Sequence, residues 1–269
     1  MPTVEARERR PGFGCCSGMR IPLVLAVSLA LSACQPNSTG LGLDLVSARQ
    51  AEQMGEQAWR EMRAETPLTA NAAWRERARA VADRVLRAAG QQPSAWEVAV
   101  FRKDDANAFA LPARKIGIHE GMMRLAATDA ELAAVIGHEV GHVLEGHAAE
   151  RISTAMATEA GVGIAGAALG AAGVGGSGTI AQVLGLGAEY GIMLPYSRNQ
   201  ELEADRVGLE LMARAGYDPR QAVALWRKMN EAGGDRPPTF LSTHPAPDER
   251  ITRIEAMLPE VMPVWRKAG

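Results

Sequence analysis

The sequence predicts an α+β domain, mostly helical, with a small sheet lying beside one central helix. Three observations carry that prediction. Apolar residues recur at helical spacing over most of the chain. Two short runs instead alternate like strands, Trp96 to Val100 and Lys115 to Ile118, and both precede the helix that starts at Thr128. The 269-residue chain also has only three cysteines, so a hydrophobic core rather than a disulfide framework has to hold it. A domain of roughly 230 residues can supply one.

In chain order, residues 1–33 read as an address rather than as fold. Arg20 precedes an apolar run from Leu23 to Leu31 that is too short to span a bilayer as a mature helix. The run ends in Leu31-Ser32-Ala33-Cys34, a lipobox pattern that is cut before Cys34, which then carries lipid. The leader proper is expected to start at Met19, with the first 18 residues an extension. Gln35 follows the lipidated position, and a residue other than Asp there favours the outer membrane. Several acyl chains on Cys34 would hold the protein stably, whereas one would not. Residues 34–46 then form a polar tether, and residues 47–269 the folded domain. The formal net charge is −2, and loss of the leader removes four arginines against two glutamates, so the mature chain has no electrostatic footprint for nucleic acid.

Within the domain, helical patterns run from about 47 to 64 and from 71 to 89, followed by the two strands with Asn107 to Pro112 between them. Thr128 and Glu131 form a capping box. Leu132, Val135, Ile136, Val140 and Val143 continue from it as a core-facing helical stripe. Ser197 and Gln200 make a second capping box, and Gly216 with Asp218-Pro219 stops that helix. Residues 159–194 are dominated by Gly and Ala with Ile, Leu and Val, interrupted at Gly173 to Gly178. They are expected to form packed helices or a flap bordering the cleft, with a membrane-inserting hairpin as the alternative. A last helix is expected over 248–258.

The chemistry sits on the Thr128 helix, in His138-Glu139-Val140-Gly141-His142. Histidines four apart lie about 400° around a helix and share one face. Both imidazoles can grip one zinc ion, and Glu139 stands where it can take a proton from the water that such a zinc activates. Gly137 and Gly141 each cost about 1 kcal/mol relative to Ala in a helix, which implies that another backbone passes close to that face. His147 lies about 180° from His138 on a continuing helix, so it is expected to be a surface or packing residue. His119 is expected in a loop or turn role.

A catalytic zinc takes three protein ligands and keeps one position open. On the Ser197 helix, Glu201 and Asp205 are four apart and project from one face. Glu201 can be the carboxylate ligand, and Asp205 can hold the second nitrogen of a ligand histidine. Glu203 lies about 200° from Glu201 and should point elsewhere. Taken alone the stretch also reads as a solvated acidic face, and that alternative stays open.

HEVGH followed by SRNQELEAD resembles the HtpX and CAAX-prenyl-protease metallopeptidases of peptidase family M48, zinc endopeptidases of the gluzincin type. The likeness extends through Asn107-Ala108-Phe109-Ala110-Leu111-Pro112 and Leu241-Ser242-Thr243-His244-Pro245, over roughly residues 45–258. The resemblance implies one zinc per chain held by His138, His142 and Glu201, with Glu139 as the base. It is strongest to the bacterial periplasmic lipoprotein branch. That implies unfolded or misassembled envelope proteins as substrates, outer-membrane assembly machinery as a partner, and a site on the periplasmic face of the outer membrane. The alternative is a chaperone-like or assembly-factor lipoprotein that uses the same fold mainly for binding. A peptide substrate would pair as an added strand along the sheet edge, which demands an extended segment and tolerates varied sequence.

His244 lies in a Thr-His-Pro turn expected to approach the zinc, either at the fourth position as a resting-state lock or as a stabiliser of the oxyanion. A purely structural turn is the alternative. Tyr196 and Arg198 are weaker candidates for polarising a substrate carbonyl, and Arg198 also fits a simple ion pair.

Overall fold

Polar side chains open the helices that build this domain. The computed structural model describes residues 45–154, 196–232, 238–245 and 248–268. The leader, the lipobox with Cys34, the tether before residue 45, the Gly/Ala-rich stretch 159–194 and Pro247 lie outside the described residues. Helix α1 (Ala48–Glu65) starts at a Ser47–Gln50 capping box. Helix α2 (Ala72–Ala88) starts at Asn71, whose side chain accepts from the Trp74 N–H. Both spans agree with the periodicity to within a residue.

Strands β1 (Glu97–Phe101), β2 (Ala108–Leu111) and β3 (Lys115–His119) form one sheet in the order β1-β3-β2. β1 runs parallel to β3, and β2 runs antiparallel to it with Ala110 opposite Ile116. Alternation predicts only β1 and β3. All four residues of β2 are buried, which erases the period-two signal, and Pro112 follows directly. Ala113 and Arg114 make the turn into β3 at φ of 70° and 61°, the left-handed region that tight hairpins use.

One face of the sheet, including Val100, Ile116 and Ile118, packs into the main core with Val81 and Val85 of α2. The other face sets Phe101, Phe109 and Leu111 against Trp59 of α1. His119 ends β3 rather than occupying a loop, and its Nδ1 stands 3.0 Å from both Asp105 oxygens.

Helices α3 (Glu120–Leu125) and α4 (Asp129–Leu144) follow, α4 opening on the expected Thr128–Glu131 capping box. Leu132, Ile136 and Val140 bury their side chains completely. The chain turns at Gly146, with φ of 72°, and residues 147–154 are helical again. Helix α5 (Arg198–Arg214) opens on the expected Ser197–Gln200 box. Helices α6 (Arg220–Ala232), α7 (Thr239–Thr243) and α8 (Asp248–Ala268) complete the described elements.

α8 runs ten residues beyond its expected end and contains Pro259 and Pro263. Each proline forfeits one backbone bond, but Val261 beyond the first is buried in the main core and Ile251 and Ile254 anchor the preceding turns. Packing therefore outweighs the local stop signal. Among the described residues no helix is long and apolar enough to cross a membrane.

Candidate metal centre

Helices α4 and α5 cross in unusually close contact, and the glycines explain how. A Cβ on Gly137 would lie 3.0 Å from the Gly208 carbonyl oxygen, and one on Gly141 would lie 3.0 Å from that of Ala204. The close backbone implied by Gly137 and Gly141 is thus α5. The crossing brings the motif face of α4 against the acidic face of α5.

At that crossing four side chains converge. His138, His142, Glu201 and His244 each offer one ligand atom, all within 4.8 Å of one another, and all four residues are buried. His138 Nε2 stands 3.1 Å from His142 Nε2 and 3.1 Å from His244 Nδ1. Glu201 Oε1 is 2.9 Å from His244 Nδ1 and 3.4 Å from His142 Nε2. Ligands about 2.0–2.1 Å from a tetrahedral ion are separated by about 3.3 Å, so these spacings match the edges of such a site. The donor chemistry fits as well, because His138 Nε2 faces two other ring nitrogens at close range. Ring nitrogens brought together in this way can share a bound cation.

Asp205 reaches the far side of His138, with Oδ1 3.0 Å from Nδ1. That contact keeps the proton on Nδ1 and leaves Nε2 bare toward the cluster. Arg250, from the first turn of α8, is absent from the sequence-based candidates. Its Nε is 2.5 Å from Asp205 Oδ2, its Nη1 is 2.5 Å from Glu201 Oε2, and its guanidinium lies over the Trp226 ring at 3.9 Å. A sequence signal did exist: Arg250 is four residues before Ile254, so it lies on the core face of α8.

Burial by itself would raise the Glu201 carboxyl, but His244, Arg250 and His138 together hold it well below the usual carboxylate range. Asp205 is likewise lowered: burial would raise it, but Arg250 and His138 together outweigh that. Burial draws His142 well below the ordinary imidazole value.

Glu139 points toward the sheet. Its Oε2 accepts the Ala110 N–H of edge strand β2 at 2.9 Å, and its Oε1 lies 3.3 Å from His244 Nε2. Burial pushes this carboxyl up, against the pull of His244 and His138. A small cleft there is lined by Ala108, Ala110, Glu139, Tyr196 and His244. His244 caps the end of α7. Its N–H donates to the Phe240 carbonyl at 2.9 Å, and its ring stacks on Phe240 at 4.4 Å.

The remaining candidates separate clearly. Tyr196 stacks on His142 at 3.7 Å, and burial pushes its phenol up to about 12. Arg198 is exposed and pairs with Glu249 at 3.6 Å, and it lines a pocket together with Tyr196, Glu201 and Arg250. His147 takes the packing rather than the surface role of the two expected: it is buried, its Nδ1 is 2.9 Å from His142 Nδ1 and its Nε2 is 3.0 Å from Glu203 Oε2. The helical-wheel argument fails because α4 stops at Leu144 and Gly146 redirects the chain. Glu203 does point away from Glu201's cluster, but toward this histidine.

The model of Peptidase family M48 matches residues 72–258. The mitochondrial metalloendopeptidase OMA1 of Schizosaccharomyces pombe is 37% identical over 67% of this chain and 52% of its own length. The β-barrel assembly-enhancing protease of Escherichia coli K12 is 27% identical over 81% of this chain and 46% of its own length. This chain therefore spans about half the length of these two relatives. The metalloprotease LoiP of Escherichia coli K12 is 30% identical over 86% of this chain and 93% of its own length. With the family pattern running from α2 into α8 and the buried cluster in place, the chain belongs to peptidase family M48, alongside relatives whose names record metalloendopeptidases and a metalloprotease.

Proposed function

We propose that this protein is a zinc endopeptidase of the bacterial cell envelope that cuts misfolded or stalled periplasmic and outer-membrane proteins. The observation that carries the reading is the buried cluster of His138, His142 and Glu201 with Glu139 beside it. Three imidazoles and a carboxylate are donors that suit zinc. One zinc, held by His138, His142 and Glu201, would supply Lewis acidity for the scissile carbonyl and lower the pKa of a bound water towards about 7. Glu139 takes the proton from the attacking water and delivers it to the leaving amine. Its Ala110 hydrogen bond ties the base to β2, so a peptide laid along that edge arrives in register with it. Backbone pairing selects extended chain over side-chain identity, which suits unfolded substrates.

His244 occupies the position between the metal ligands and Glu139 and acts as a resting-state lock. Its two ring nitrogens face Glu201 and Glu139, where substrate and water need to enter. The purified full chain is expected to carry about one zinc and to cleave casein in a chelator-sensitive way. His244→Ala is expected to keep the zinc and raise that cleavage. A fall in cleavage with zinc retained would assign His244 to the oxyanion instead. Absence of zinc from the wild-type protein would overturn the metal site.

The envelope location rests on the lipobox at Cys34 and on bacterial relatives such as LoiP. The name of the β-barrel assembly-enhancing relative makes outer-membrane assembly machinery the natural partner class. Cys34→Ser is expected to move the protein from the outer-membrane fraction to the soluble one; unchanged fractionation would dismiss the anchor.

A further inference from the structure

The geometry points to His147 as a positioning residue that, with Glu203 behind it, sets the tautomer of His142 and so aims its Nε2 at the metal. This rests on the metal reading above. The hydrogen bond between His142 Nδ1 and His147 Nδ1, at 2.9 Å, accommodates a single proton, so one ring donates and the other accepts. Which ring donates is decided at the far end of the chain of contacts. Glu203 Oε2 lies 3.0 Å from His147 Nε2, and an ionised carboxylate only accepts. The proton of a neutral His147 is therefore drawn to Nε2, and its Nδ1 is left as a bare acceptor. His142 then carries its own proton on Nδ1, and its Nε2 lone pair faces the cluster 3.1 Å from His138 Nε2.

The two motif histidines are thus oriented from one helix in two ways. Asp205 of α5 holds His138 directly, and Glu203 of α5 holds His142 through an intervening ring. The second arrangement depends on the break after α4. On an uninterrupted helix His147 would project away from His142, whereas the turn at Gly146 with φ of 72° folds it back underneath. His147 is 1% exposed, while the Glu203 side chain is 41% exposed, so the buried ring links an accessible carboxylate to a buried ligand. Partners of this kind typically account for about 10- to 100-fold in metal affinity.

The test uses the full chain, with zinc affinity measured by chelator competition and the His142 tautomer read by nitrogen-15 NMR of the zinc-free protein. His147→Leu keeps bulk and removes the acceptor; His147→Asn offers an amide oxygen near the place of Nδ1. We expect the leucine variant to lose zinc affinity about 10- to 100-fold and to lose the pure Nδ1–H form of His142. The asparagine variant should stay within about threefold of wild type and keep that form. Glu203→Ala, at a partly exposed position, should shift the tautomer in the same direction without threatening the fold. Wild-type affinity and tautomer in the leucine variant, or equal losses in the leucine and asparagine variants, would overturn the proposal. An unchanged His142 tautomer in Glu203→Ala would also overturn it. Should the wild-type protein take up no zinc, the metal reading fails separately, and the tautomer measurements still decide the role of His147.

Discussion

Glu139→Gln is expected to leave fold and zinc content unchanged while lowering peptide cleavage about 10²- to 10⁴-fold, the range in which a positioned general base contributes. Glutamine retains the shape of the side chain, and its carbonyl oxygen can still accept the Ala110 N–H that Glu139 Oε2 accepts at 2.9 Å. What it lacks is a site that can take a proton from water at neutral pH. Zinc should remain because Glu139 stands outside the group formed by His138, His142, Glu201 and His244. Burial raises the Glu139 carboxyl above its ordinary value, which brings it closer to the strength a base needs near neutrality. The measurement is casein turnover beside metal content in the two proteins. Substantial cleavage by the glutamine variant would place the base elsewhere.

Gly208→Ala is expected to destabilise the protein and weaken zinc binding together. In an exposed helix the same change would stabilise by about 1 kcal/mol. Here the new Cβ would lie 2.8 Å from the His138 nitrogen, 3.0 Å from the Gly137 carbonyl carbon and 3.1 Å from the His138 Cα. All three are backbone atoms of α4 and cannot rotate away, so the helices have to separate. Overpacking of this kind costs about 1–3 kcal/mol. Glu201 and Asp205 ride on α5 with Gly208, so any separation also draws them from His138 and His142. Denaturant midpoints and zinc affinity measured on the same variant check both effects. A more stable variant with wild-type zinc affinity would show that the helices do not meet at this distance.

Much of what builds the candidate site was legible because its instructions are short-ranged. The four-residue spacing of His138 and His142, and of Glu201 and Asp205, specifies a shared helix face, and the capping boxes at Thr128 and Ser197 set where those helices begin. Gly137 and Gly141 even announced that a second backbone would approach. Other features were hidden for identifiable reasons. β2 is buried on both faces and so shows no alternation. The continuation of α8 past Pro259 opposes local propensity and depends on core contacts such as that of Val261.

Helix faces, helix starts and the chemical identity of the candidate ligands were therefore written locally, since each depends on residues within a turn or two of one another. How those faces meet was settled by long-range packing. It placed Arg250 between Asp205 and Glu201 from a position 45 residues beyond Asp205, brought His244 in on the end of α7, and turned His147 back beneath His142. These contacts are fixed by the packing of α4, α5 and α8 around one core and by a single left-handed turn at Gly146. Periodicity along one helix carries no information about the rotation or approach of another.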